Sequence, residues 1–268
     1  MFADTIDYFA NLAAAKVALL KRNPLGFFIG SMMAGVYVGF GIILIFIVGT
    51  AAEPAYQKLI MGASFGIALT LVVFAGAELF TGHTMYMPLG WLRRKTNGVN
   101  LITMWPVVWV GNLAGAAGLA ALFVLGGAAG MVSDTNSFLN QVAGVKMNAP
   151  IVELVARGIL CNWLVCLALW MSARTQNDAA KAIIIFWALF AFIASGFEHS
   201  VANMTLFSIA LLGKHPATVS LSGMGYNLLW VTLGNLLSGS LFMALGYWVY
   251  SREKSRPGEG DTDTIHET

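Results

Sequence analysis

The stretch Gly196-Phe197-Glu198-His199-Ser200-Val201-Ala202-Asn203 decides how the chain is read. A carboxylate and an imidazole stand side by side within an apolar run, 182–212. The nearest charges outside the stretch are Lys181 and Lys214, just beyond the two ends of that run. If the run spans a bilayer, His199 sits near the midplane. Ionisable groups are costly at that depth and mark functional positions by default.

Composition places the run in a membrane. Of 268 residues, 58% are hydrophobic and 10% charged, and mean hydropathy is +0.74. Soluble domains carry roughly 25% charged residues. The reading is one integral membrane domain, 24–250, preceded by an amphipathic cytoplasmic helix, 1–23, and followed by a charged, Gly/Pro-containing tail, 251–268, expected to be disordered. The first 22 residues lack the short apolar core of a cleavable signal peptide, so the spanning segments themselves are expected to direct insertion. A net charge of +2, lodged mostly in loops, argues against a nucleic-acid partner. Cys161 and Cys166 fall in one apolar segment and read as buried thiols, not as a disulfide framework.

Residues 4–22 place Ile6, Phe9, Ala13, Val17 and Leu20 at helical spacing, with Lys16, Lys21 and Arg22 towards the end. Such a helix either lies on the membrane surface or packs on the protein. Six apolar stretches follow, at about 26–50, 59–92, 101–130, 150–173, 182–212 and 222–250. A spanning helix needs ~20 residues. The second and fifth stretches exceed 30 and carry Gly-rich interruptions with a charge, 76–82 and 196–203. Each reads as two half-helices around an irregular loop, which is tolerated at membrane depth only inside protein or along a cavity.

Basic residues give the topology. Lys16, Lys21, Arg22, Arg93, Arg94, Lys95, Arg174, Lys181, Arg252, Lys254 and Arg256 fall on one side; Lys58, Lys146, Arg157 and Lys214 fall on the other. This excess predicts both termini in the cytoplasm. The halves also resemble each other. Gly76-Ala-Glu78 matches Gly196-Phe-Glu198 at an offset of 120, and Gly111-Asn-Leu113 matches Gly234-Asn-Leu236 at 123. Three segments per half make the second copy inverted, and broken helices in corresponding places point to a site at the repeat interface.

Glu78 and Glu198 read as structural carboxylates, accepting hydrogen bonds from backbone N–H groups freed by each break; a cation site or proton relay is the alternative. His199 reads as functional, with the Thr81 hydroxyl of the opposite break within reach. Burial favours the neutral imidazole and an arriving anion favours the protonated one, so proton and anion can meet there and a weak acid can pass uncharged. From spacing alone Lys146 is a solvated loop charge. Glu153 and Arg157, four apart, read as an ion pair. His83 reads as packing or a second titrating group, and His215 and His266 carry no signal. No zinc-spaced Cys/His cluster, Walker-type loop or nucleophile elbow is present, so no cofactor, metal or catalytic residue is expected.

Four motifs carry a resemblance: Ala75-Gly-Ala-Glu-Leu-Phe-Thr-Gly82, Asn162-Trp-Leu-Val-Cys-Leu-Ala168, Ala194-Ser-Gly-Phe-Glu-His-Ser-Val-Ala-Asn-Met204 and Val231-Thr-Leu-Gly-Asn235. In these the chain resembles the formate/nitrite transporter family, and its nitrite-channel branch most. The resemblance implies an all-α, aquaporin-like membrane fold of six helices in two inverted three-helix repeats, assembled as a homopentamer in a bacterial inner membrane. It implies passage of small monovalent anions, nitrite foremost and also formate or hydrosulfide, together with protons. By the same resemblance His199, Thr81, Asn162 and Asn203 line the substrate pathway, near Glu198. Lys146 becomes an anion-attracting vestibule cation. Phe65, Phe80 and Val165 form a periplasmic constriction; Leu69, Leu79 and Phe192 form a cytoplasmic one. A pore for neutral solutes such as water, glycerol or ammonia is the alternative, although the Asn-Pro-Ala pairs of aquaporins are absent.

Overall fold

The computed structural model describes residues 2–252, and these contain helices and no strands. The tail with Lys254, Arg256 and His266, expected to be disordered, lies outside the described residues apart from its first two positions. Ten helices run α1 Ala3–Arg22, α2 Pro24–Ala51, α3 Gln57–Gly76, α4 Phe80–Leu92, α5 Gly98–Leu125, α6 Phe138–Met147, α7 Ile151–Ser172, α8 Asp178–Ala194, α9 Ser200–Leu212 and α10 Leu221–Tyr250. Five of them, α2, α3, α5, α7 and α10, are long and apolar enough to cross a bilayer. Their outer faces present Ile29, Ile102, Leu122, Leu229 and Leu241, as lipid contact requires.

Local chemistry sets the ends. Asn23 closes α1, its side chain accepts from Gly26 N, and Pro24 opens α2 where a missing N–H costs nothing. Asn97 and Asn100 form a reciprocal capping box at the start of α5. The helix α6 lies in a segment that hydropathy reads as loop; its N-cap is Ser137, which accepts from Asn140 N.

The second and fifth apolar stretches each form two helices. The breaks are shorter than their composition predicts: helix resumes at Phe80 and at Ser200, so Thr81, Gly82 and Ser200–Asn203 are helical. Each incoming helix ends at a glycine in the left-handed region, Gly76 at φ +80° and Gly196 at φ +72°. An L side chain there costs about 1–2 kcal/mol. The chain then runs extended through Ala77 and Leu79 in one break and His199 in the other.

The short helices that follow the breaks occupy the centre. In α9 every residue from Ser200 to Ala210 is buried, and α4 is buried from Phe80 to Gly90 except for the half-buried Tyr86. Long helices pack closely around them where side chains vanish. At Gly35 and Gly115 a Cβ would land on the facing backbone of α5 and α2, and Gly158 and Gly234 meet in the same way between α7 and α10. Small residues permit this approach, which stands in for the hydrophobic drive missing within lipid.

Helix α1 packs on the protein. Ile6, Phe9, Ala10 and Ala13 are buried, Phe9 stacks on Trp170 at 5.8 Å and on Tyr86 at 5.2 Å, and Arg93 Nε meets Asp7 Oδ1 at 2.8 Å. One face of α1 is thus packed on the protein while Tyr8 stays exposed.

Candidate functional site

The two breaks are built alike. Glu78 N–H donates to Gly30 O of α2 at 3.1 Å, and Glu198 N–H donates to Arg157 O of α7 at 3.2 Å. One asparagine then serves each break. Asn112 Oδ1 accepts from Phe80 N at 2.9 Å, and its Nδ2 donates to Glu78 O and Ser31 O. Asn235 Oδ1 accepts from Ser200 N at 3.0 Å, and its Nδ2 donates to Glu198 O and Gly158 O. These side chains supply what the interrupted ladders lack. The expectation that Glu78 and Glu198 accept the freed N–H groups is therefore corrected: Asn112 and Asn235 meet these needs, and the carboxylates are left for charged partners.

Those partners come from elsewhere in the chain. Glu198 Oε1 lies 2.8 Å from Lys146 Nζ, and its Oε2 accepts from Asn203 Nδ2 at 2.6 Å. Asn203 also donates to Asn227 Oδ1, and Asn227 Nδ2 donates to Lys146 O, so Lys146 is held by side chain and backbone. Glu78 Oε1 lies 2.6 Å from Lys16 Nζ and Oε2 lies 2.8 Å from His83 Nε2. The spacing-based reading of Lys146 as a solvated loop charge is corrected too. It closes α6 with a side chain 21% exposed and anchored to a buried carboxylate. Glu153 and Arg157 do form an exposed ion pair, at 2.6 Å.

His199 is the N-cap of α9. Its Nδ1 accepts from Ala202 N at 3.2 Å, and its Nε2 lies 3.2 Å from Thr81 Oγ1. A backbone N–H aimed at Nδ1 leaves that nitrogen as an acceptor, so the neutral ring carries its proton on Nε2 and donates to the Thr81 hydroxyl. Phe192 stacks on the imidazole at 5.9 Å with 17° between planes, and Phe65 meets Phe192 edge-on at 5.5 Å.

Three cavities adjoin one another and share walls. One of about 200 Å³ is lined by Lys146, Asn203, Ile42, Phe192 and His199. A narrow one of about 10 Å³ is lined by Phe65, Leu69, Leu79, Val165, Phe192 and His199. A third of about 320 Å³ is lined by Leu69, Leu79, Lys16, His83, Tyr8 and Lys181. Phe192 and His199 belong to the first two, and Leu69 and Leu79 to the last two, so the series runs from Lys146 past His199 to Lys16.

Five of the six residues expected at constrictions thus share one narrow cavity. The sixth, Phe80, lines a separate apolar groove with Trp105, Trp109 and Leu228. Phe192 faces the Lys146 cavity as well as the narrow one. Thr81 reaches the series through His199. Asn162 lines none of the cavities; its Nδ2 donates to Thr84 Oγ1 at 2.8 Å and Asn235 O at 2.7 Å, tying α7 to α4 and α10. Cys161 and Cys166 are free and buried.

Sequence reasoning missed the parts played by Lys16, Asn112, Asn235 and Asn227. A signal existed for two of them: Asn112 and Asn235 form the second matching pair of the repeat, and a helix-buried asparagine needs partners that a broken helix supplies. Lys16 has no match at the repeat offset, because α1 delivers it from outside the repeated segments.

A sequence model described as "Formate/nitrite transporter" matches residues 3–249. The chain is 52% identical over 260 residues to the nitrite transporter NirC of Escherichia coli (strain K12), covering 96% of this chain and 95% of that one. Its fold matches a solved FNT family ion channel with a TM-score of 0.92 at 50% identity, over 94% of this chain and 100% of the other. It matches a pentameric formate channel with formate bound at 0.71 and 27%, over 86% and 98%. These relatives are transporters and channels, not enzymes. Spanning helices, two buried breaks and this likeness lead to one conclusion: the chain is a multi-pass membrane protein and belongs to the formate/nitrite transporter family.

Proposed function

We propose that the chain is a channel or channel-like transporter for small monovalent anions, nitrite foremost and formate or hydrosulfide besides, in a bacterial inner membrane. The single observation that carries this reading is the cavity series with a lysine at each end and His199 beside the narrowest part. The relatives named for nitrite and formate support it, since both are monovalent anions. They also set aside the neutral-solute pore.

The chemistry follows from size and charge. The narrow cavity, about 10 Å³, is at the lower limit for one water, which needs roughly 10–15 Å³. Five of its walls are the apolar Phe65, Leu69, Leu79, Val165 and Phe192. A bare anion there loses its hydration without a counter-charge, which is prohibitive. Lys146 gathers the anion at the mouth, its own charge moderated by Glu198. Protonated His199 gives its Nε2 proton to the anion, leaving a neutral weak acid and a neutral ring whose remaining proton is on Nδ1; a proton from water on the Lys146 side restores Nε2–H, and the acid passes Leu79 and sheds its proton in the Lys16 cavity. For His199 to be protonated at both nitrogens, Nδ1 must let go of Ala202 N–H, so ring protonation and loosening of the α9 cap are one event. Thr81 holds Nε2 in line.

In this reading the halves are inverted repeats of an aquaporin-like fold. The six spans are α2, α3 with α4, α5, α7, α8 with α9, and α10, flanked by a cytoplasmic α1 and a cytoplasmic tail. Five copies assemble, each with its own pathway, and both termini face the cytoplasm with the Lys16 mouth. The test is uptake of nitrite, formate, hydrosulfide and glycerol by proteoliposomes holding the full chain. Nitrite entry that Lys146→Ala weakens most at low substrate is the expected result. Swelling with glycerol without anion flux would overturn the proposal.

A further inference from the structure

The matched breaks differ in the residue that meets each carboxylate. Asn203, five residues after Glu198, has its counterpart in His83, five residues after Glu78. Each donates to the Oε2 of its glutamate, at 2.6 and 2.8 Å. Asn203 spends its amide on Glu198 and Asn227. His83 has a ring nitrogen left over: it is 1% exposed, and its Nδ1 has no hydrogen-bonding partner among the described residues. His199 has none to spare, because Ala202 N–H holds Nδ1 and Thr81 holds Nε2.

His83 lines the cavity beyond Leu79, with Lys16, Lys181, Tyr8 and Tyr86. Glu78 holds Nε2 from the break. Tyr86, on α4 itself, lies 5.7 Å away ring to ring, with Cys166 of α7 behind it. Helix α1 brings Lys16 and Tyr8, and α8 brings Lys181. From α2 comes the uncharged Phe27, edge-on at 6.2 Å, and from α5 Trp105, whose indole N–H bonds the His83 carbonyl.

We infer that His83 is a second proton-exchanging residue of the pathway, serving the Lys16 mouth as His199 serves the narrow cavity, with small monovalent weak acids such as nitrous acid as its partners. This rests on the transport reading above. The carboxylate fixes Nε2–H, so the ring has a single nitrogen for the substrate. A neutral acid leaving the narrow cavity gives its proton to Nδ1: the acid's O–H bond breaks, an N–H bond forms, and an anion remains beside Lys16 and Lys181. The imidazolium is stabilised by Glu78 and later releases the proton to water. In the opposite direction Nδ1–H protonates an entering anion before it meets Leu69 and Leu79. Lys16 holds the other oxygen of Glu78, at 2.6 Å. His83 thereby spares the acid from releasing its proton unaided in a half-enclosed vestibule.

The experiment is equilibrium exchange of labelled nitrite in proteoliposomes of the full chain, with equal pH inside and out, stepped through the range about an ordinary imidazole pKa of ~6.5. His83→Asn, which copies the residue of the other break, is expected to assemble and to lose one titration step from the profile, changing its shape by about threefold or more across that range. A variant profile that scales onto that of the unaltered protein overturns the role of His83. Absence of nitrite exchange by the unaltered protein overturns the transport reading instead. A second measurement needs no substitution at His83: in His199→Phe protein with ¹⁵N-labelled histidine, nitrite at fixed pH should move the ring-nitrogen signals of a buried histidine. Signals indifferent to nitrite would refute the inference even if His83→Asn failed to assemble.

Discussion

Replacing Lys146 by methionine separates the two duties of the Lys146–Glu198 pair. Glu198 is 1% exposed, and Lys146→Met leaves its Oε1 without the cation 2.8 Å away, with Asn203 alone on Oε2. At an effective dielectric of ~20 the lost attraction is about 6 kcal/mol in gross terms. The net loss is smaller, because the pair itself carries the cost of taking two charges out of water. Measured losses for a buried pair stripped of one partner run at about 3–5 kcal/mol. We therefore expect a loss of about 3 kcal/mol, or a fall of about 6–12 °C in the melting midpoint of the detergent-solubilised protein followed by size-exclusion chromatography. Lys146→Met combined with Glu198→Gln removes the stranded charge and should restore most of the midpoint, yet should not restore nitrite uptake at low concentration. A single variant that melts like the unaltered protein, or a double variant no more stable than the single, would refute the reasoning.

Three further outcomes test the breaks and the ring. Asn235→Ala strips Ser200 N–H, Gly158 O and Glu198 O of their partner, so a loss of about 3 kcal/mol and a matching drop in melting midpoint are expected; Asn112→Ala should behave alike. Gly196→Ala meets open space, so its cost should be the backbone's alone, about 1–2 kcal/mol, while Gly118→Ala, also in open space but within a helix, should be neutral or slightly stabilising. His199→Asn keeps an N-cap acceptor and His199→Phe does not, so their stabilities should differ by about 1 kcal/mol in thermal unfolding. Both should alter the pH dependence and anion selectivity of flux in proteoliposomes, and an unchanged pH profile would remove proton exchange from His199.

Much of the fold is legible in the order of the residues alone, because local terms write themselves into sequence. Apolar runs of membrane length, left-handed glycines that end helices before a charged dipeptide, and an Asn-Pro between α1 and α2 each declare the backbone they need. The 120-residue offset between Glu78 and Glu198 likewise announces two breaks of one design, and a motif as dense as 194–204 carries the family. An imidazole in such a break announces itself through cost, because burying it requires partners that the fold must supply.

Partnership across the fold is another matter. No spacing rule joins Lys146 to Glu198 or Lys16 to Glu78, because these pairs depend on how α6 and α1 dock. Asn112 and Asn235 displace the glutamates as partners of the broken backbone because an amide has donor and acceptor together, whereas a carboxylate only accepts. Asn162, expected in the pathway by resemblance alone, donates its Nδ2 to Thr84 and Asn235 across three helices, contacts that no spacing announces. The sequence by itself determined where the chain spans, where it breaks and which ionisable groups are buried, since each follows from the cost of placing a few neighbouring residues in lipid. Only the tertiary structure decided which cation holds each carboxylate, which hydroxyl meets His199 and which apolar side chains line the narrow cavity, because each of these depends on distances between segments that are in places more than a hundred residues apart.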